Sequence, residues 1–178
     1  MTMNADPALL PILKQAVKST LCHLPASLQG QILAPLLKNP SDMVPWRSYP
    51  ESGSDQYRAI LYPAKRPYKP RNFWNLEHCM YEIAIGSICG TKGIQVQLLF
   101  GGHRAKCGKG AYVEPVSDIL RIVSKIRRDI TFKPNPVKGN ISLVKFCPGF
   151  DPEPASRDMA WIIAETYPAI TALPDAPR

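Results

Sequence analysis

The chain has 178 residues, 45% hydrophobic and 20% charged, with a formal net charge of +8. A chain of this length makes one domain with at most a small appendage, and it can bury ~70% of its unfolded surface without a metal or disulfide. The composition excludes wholesale disorder, and no apolar run approaches the ~20 residues of a membrane span.

The N-terminus, MTMNADPALLPILKQAV, has neither a basic start nor a long apolar core, so no secretory signal is expected. Asp6 and Pro7 are an N-cap and first-turn signal, and Leu10, Leu13, Val17 and Leu21 mark one helical face. Pro25 then opens a second expected helix carrying Leu28, Ile32, Leu33, Leu36 and Leu37, closed at Asn39 and Pro40. Together they predict a helical hairpin. Residues 41–55, rich in Pro, Ser, Gly and Asp, read as a loop. The predicted division is therefore 1–56, hairpin and proline-rich loop, and 57–178, an α+β domain.

Tyr57 to Tyr62 reads as a short strand, ended by Pro63 and followed by the extended basic segment AKRPYKPR. Met80 to Ile85 and Ile94 to Phe100 alternate apolar and polar residues, the pattern of half-buried strands joined by a turn at Gly90-Thr91-Lys92-Gly93. A glycine-rich loop, GGHRAKCGKGAY, leads to a predicted helix over 116–130. Val116, Ile119, Leu120, Val123 and Ile126 form its apolar face, while Arg121, Lys125 and Arg128 recur on another face, widened by Arg127. Residues 133–140 read as a loop and Ile141 to Phe146 as a fourth strand. A last helix carries Met159, Ile162, Ile163, Thr166 and Tyr167 and stops at Pro168. The expected class is α+β: an N-terminal helical hairpin, then a three- to four-stranded, mostly antiparallel sheet with two helices on one face.

Charge is unevenly placed. Residues 58–145 hold sixteen Lys/Arg against five Asp/Glu, while residues 1–57 are neutral and 146–178 are acidic. A local excess of this kind attracts polyanions, nucleic acid foremost. The expected contacts fall in three places: Lys65, Arg66, Lys69 and Arg71 of the proline-held arm, Arg104, Lys106 and Lys109 of the glycine-rich loop, and Arg121, Lys125 and Arg128 of the helix. In the arm, Tyr62, Tyr68, Phe73 and Trp74 alternate with the cations, as suits rings that stack on bases and cations that meet phosphates. A mobile solvated loop and an arm packed on protein are the plain readings of the same segments.

Catalytic patterns are sparse. None of the fourteen acids is followed two residues later by lysine, and the expected strands carry one acid, Glu82, against a restriction-type nuclease centre. Gly108-Lys109 is followed by glycine, so the loop is not a Walker A motif. His78, Cys79, Cys89, His103 and Cys107 lack any Cys-x2-Cys pair, and no metal or cofactor is expected. The five cysteines, irregularly spaced, suit reduced thiols in a cytoplasm.

The run from about Arg71 to Leu173 resembles a domain of uncharacterised function found in bacterial restriction and phage-defence proteins. The resemblance lies in order: an aromatic lead (NFW), the strands MYEIAI and GIQVQLLF, a helix with a basic tail, the strand ISLVKF and a closing helix with Trp161. It implies an accessory, DNA-proximal role beside a separate nuclease or ATPase and carries over no catalytic residue. The resulting expectation is a non-enzymatic cytoplasmic subunit of a nucleic-acid-handling or defence complex, binding DNA or RNA with low specificity and docking on a larger protein. Two other readings fit the same residues: an adaptor or inhibitor of an acidic protein, and a small enzyme using Cys107 or His103.

Overall fold

The computed structural model describes residues 6–33, 55–63, 80–88, 90–101, 127–129, 131–135 and 140–171. In chain order they form α1 (Leu9–His23), β1 (Ile32–Leu33), β2 (Asp55–Pro63), β3 (Met80–Ile88), β4 (Thr91–Gly101), β5 (Thr131–Asn135), β6 (Asn140–Pro148) and α2 (Pro152–Thr171). The α+β class holds. The described strands make one antiparallel sheet in the order β1-β2-β3-β4-β6-β5. Its four central strands are those expected from the sequence; β1 and β5 extend the sheet at its two edges. Both helices pack on one face and against each other.

The register explains the core. Three rows of side chains cross the central strands on the helix-facing side: Leu61–Tyr81–Leu98–Leu143, Ala59–Ile83–Val96–Lys145 and Tyr57–Ile85–Ile94–Cys147. All but Lys145 are buried, and they share one core with Leu9, Leu13, Ala16 and Val17 of α1 and Ala155, Met159, Ile162 and Ile163 of α2. Buried hydroxyls between the layers are satisfied: Thr166 Oγ1 donates to the Ile162 carbonyl at 2.6 Å and accepts from Tyr81 Oη at 3.0 Å. At the layer's rim, His23 at the end of α1 meets Glu153 in the first turn of α2 at 2.9 Å.

Local chemistry sets the element ends. The N-cap of α1 falls on Ala8, with no side-chain cap bond, rather than on Asp6, whose Oδ1 accepts from the Ala8 N–H at 3.0 Å in the turn before the helix. Asp151 does the same for the Glu153 N–H at 3.0 Å, and Pro152 and Pro154 are tolerated because first-turn N–H groups lack helical partners. Ile88 pairs with Thr91, so two residues turn β3 into β4, and Gly90 takes the positive φ of 79° this needs.

Three expectations are corrected. The second helix of the hairpin is absent from the described part of its range: residues 26–31 are turns, and Ile32–Leu33 pair with Tyr62 and Pro63 as β1. β-branched Ile32 buries its side chain more readily on the sheet edge than on an isolated short helix, and α1 takes α2 as its helical partner instead. The loop expected over 133–140 begins as strand β5, where Pro134 is accommodated because an edge strand has one unpaired side. Pro168 does not stop the last helix, which continues to Thr171, since a proline in the last turn removes little of the ladder.

Gly93 is a position where size decides. A Cβ there would strike the Cys147 carbonyl oxygen and Phe146 Cζ, because the Phe146 ring lies over the glycine. The carbonyl is fixed in the β4–β6 ladder and cannot yield. Gly93→Ala is expected to lose about 1–3 kcal/mol of stability by overpacking, read as a lowered midpoint of chemical denaturation.

Candidate nucleic-acid interface

Of the expected contact residues, Arg128 lies among the described residues, and it is exposed. Lys65, Arg66, Lys69, Arg71, Arg104, Lys106, Lys109, Arg121 and Lys125 lie outside them. So do most of the helix expected over 116–130, the aromatic–basic arm, and the thiol and imidazole candidates His78, Cys79, Cys89, His103 and Cys107. Residues 127–129 themselves form a turn leading into β5, not helix.

What holds that turn is a closed set of ion pairs. Arg127 grips Asp129 with two parallel bonds, Nε to Oδ1 at 2.9 Å and Nη2 to Oδ2 at 2.8 Å, and Nη2 reaches Asp158 Oδ1 at 2.8 Å. Lys145 Nζ lies 2.6 Å from Asp129 Oδ2 and 2.6 Å from Asp158 Oδ2. Each cation therefore touches both carboxylates, and the set is neutral. The Arg127 guanidinium also lies 5.0 Å from the ring centroid of Trp161, a cation–π distance. The turn is thus clamped to β6 through Lys145 and to α2 through Asp158 and Trp161, with Arg128 left facing solvent.

The network shifts its members in consistent directions. The bonds from Arg127 and Lys145 hold the Asp129 carboxyl well below the usual carboxylate range. Bonds to Asp129 and then Asp158 raise Arg127. Burial by itself would lower Lys145, and its bonds to the two carboxylates outweigh that, so it rises. Asp129, Arg127 and Lys145 therefore stay charged throughout the physiological range. A depressed carboxyl contributes stability above its unfolded value and loses it as pH falls, so the Asp129 contribution fades below about pH 4, the ordinary aspartate range.

Cys147 sits beside this set, its Sγ 3.8 Å from Asp158 Oδ2. Burial first, then the Asp158 charge, push the thiol up to about 11. A thiol so placed is a poor nucleophile at neutral pH. Peptide-resolved alkylation of the folded chain at pH 7.5 is expected to label exposed Cys22 and to spare Cys147, with labelling of Cys147 appearing on denaturation.

A second pair occupies the face of the sheet away from the helices. Arg58 Nη1 lies 3.6 Å from Glu82 Oε1, and Glu82 is buried at the middle of the row Ile60–Glu82–Gln97–Val144. Burial lowers Arg58, and Glu82 partly restores it.

Sequence reasoning named Arg127 as widening a free basic face; the structure pairs it internally instead. It missed Lys145 and Asp158, although both left a signal. Lys145 has the parity of Leu143 and Cys147 on the core face of β6, and Asp158 lies in the stripe Ala155, Met159, Ile162 of α2. A charge on an apolar stripe calls for a buried partner.

Among the described residues, no group of three or more His, Cys, Asp and Glu is placed to hold a metal ion. Among them too, no helix is long and apolar enough to cross a membrane. In comparisons with known proteins, no family model, no curated protein and no solved structure matches the chain.

Proposed function

We propose that this chain is a non-enzymatic, nucleic-acid-binding subunit of a bacterial cytoplasmic complex for nucleic-acid handling or phage defence. It binds DNA or RNA with low specificity through its basic centre and docks on a larger protein such as an ATPase or nuclease subunit. The supporting observation is the charge left after folding. Arg127 and Lys145 are engaged internally, but by Asp129 and Asp158, one acid for each cation. Among the described residues, this clamp therefore takes nothing from the net charge of +8. Lys92 and Arg128 are exposed, and Arg128 stands on a clamped turn rather than a free one. A cation on a held backbone loses less freedom when it meets a phosphate.

The test is a variant series in fluorescence anisotropy with a labelled duplex and a labelled single strand. Each cation that neutralises one phosphate contributes about one unit to the slope of log affinity against log salt. Arg128→Ala is expected to reduce the slope by about one, and Arg121→Ala/Lys125→Ala/Arg128→Ala by up to about three. A folded triple variant with unchanged affinity and slope would remove this surface from the interface. Binding to an acidic polypeptide but to neither nucleic acid would replace the reading with an adaptor or inhibitor.

A further inference from the structure

Glu82 is the buried acid of the central sheet, 4% exposed, on the middle strand of three in register. Among the described residues, its buried Oε2 has no hydrogen-bond partner and its Oε1 meets Arg58 at 3.6 Å, beyond hydrogen-bond length. An ionised carboxylate in this position would be desolvated and deprived of donors, a costly state. Directly across the β3–β4 ladder lies Gln97, whose Oε1 accepts from Gln95 Nε2 at 3.1 Å. A carboxamide oxygen has two lone pairs, so one remains for a second donor.

We propose that the folded chain holds Glu82 as the neutral acid, its O–H donated to Gln97 Oε1, so that folding takes up one proton. The proton completes a chain in which Glu82 and Gln95 both donate to Gln97 Oε1. Among the described neighbours, β2 brings one charged group to Glu82, Arg58, and β4 brings the two uncharged carboxamides. Burial raises the Glu82 carboxyl, and Arg58 opposes this without reversing it. The sign follows. A raised acid contributes stability below its unfolded value of about 4.3, and loses it as pH rises through the folded value. Glu82 thus makes the fold less stable toward alkaline pH, against the trend set by Asp129.

The opposite arrangement turns both carboxamides, so that Gln97 Nε2 donates to an ionised Glu82. The two are separated by urea unfolding of wild type and Glu82→Gln between pH 5 and 8, with the Glu82 side-chain carboxyl carbon followed by NMR in the wild type. If Glu82 is neutral, the amide of the variant replaces the acid at no cost. The unfolding constant of wild type relative to the variant should then rise by about tenfold per pH unit within the window where only the unfolded chain has released the proton. The carboxyl carbon should keep its protonated shift at pH 6. A ratio constant within about twofold, or a variant uniformly less stable, overturns the proposal. If the variant does not fold, the wild-type signal decides alone: an ionised shift at pH 6 overturns it.

Discussion

Asp158→Ala is expected to lose about 2–4 kcal/mol of stability, less than the ~3–5 of a fully buried broken pair because the set is partly exposed. Asp158 is the least exposed member of the clamp, with a side chain 10% exposed, and it accepts from both Arg127 and Lys145. Its removal leaves two cations sharing Asp129, which is half-exposed. Lys145 suffers most, because its stem lies on the helix-facing side of β6 and its side chain is only 20% exposed. The damage arises from uncompensated charge rather than from a lost attraction. Lys145→Met with Asp158→Leu should therefore recover most of the loss, by analogy with buried ion pairs replaced by apolar residues. The Cys147 thiol supplies an independent reading: without the Asp158 charge beside it, its titration should move down from about 11. Urea unfolding of the three chains and a thiol titration check these outcomes together. A single variant within about 0.5 kcal/mol of wild type would show that the clamp carries no stability.

Leu13→Ala is expected to cost about 2–5 kcal/mol. Leu13 is fully buried on α1, and α1 packs on α2, β2 and β3, so the cavity opens inside the common core rather than in an appendage. The destabilisation should appear as a shift of one cooperative transition, followed by near-UV and far-UV circular dichroism alike. A separate early transition confined to α1 would mean that the N-terminal helix folds independently. Lys14→Ala, one residue on and exposed, should stay within about ±0.5 kcal/mol.

The legibility of this chain differed by element, for physical reasons. The four central strands were readable because each buries one face, so Tyr81, Ile83 and Ile85 or Ile94, Val96 and Leu98 alternate with residues of the other face. The two described helices were readable from their apolar stripes. The edges were not. Ile32–Leu33 is too short to show a period, and its neighbours Leu28 and Leu36 fit a helical stripe equally well. β5 carries Pro134 between Lys133 and Asn135, a loop composition that only an edge position accepts as strand. At the candidate interface, sequence counted charges without their partners. It could not see that Arg127, separated from Asp158 by thirty-one positions, folds onto it, or that Lys145 closes the set. Arg128 is exposed as expected, but on a turn rather than on the helical face where the sequence placed it.

The nucleic-acid reading rests most directly on the salt dependence of the wild-type chain. Anisotropy of a labelled 20-base-pair duplex and a labelled 20-base single strand, titrated with protein from 50 to 200 mM salt, measures it. Counterion release makes log affinity fall linearly with log salt, with a slope of about −0.9 for each phosphate neutralised on duplex DNA and about −0.7 on single strands. With Arg121, Lys125 and Arg128 each neutralising one phosphate, a slope at least as steep as about −2.7 on the duplex and about −2.1 on the single strand is predicted. Absence of binding to either strand form at 50 mM salt, by a chain shown to be folded, would contradict it.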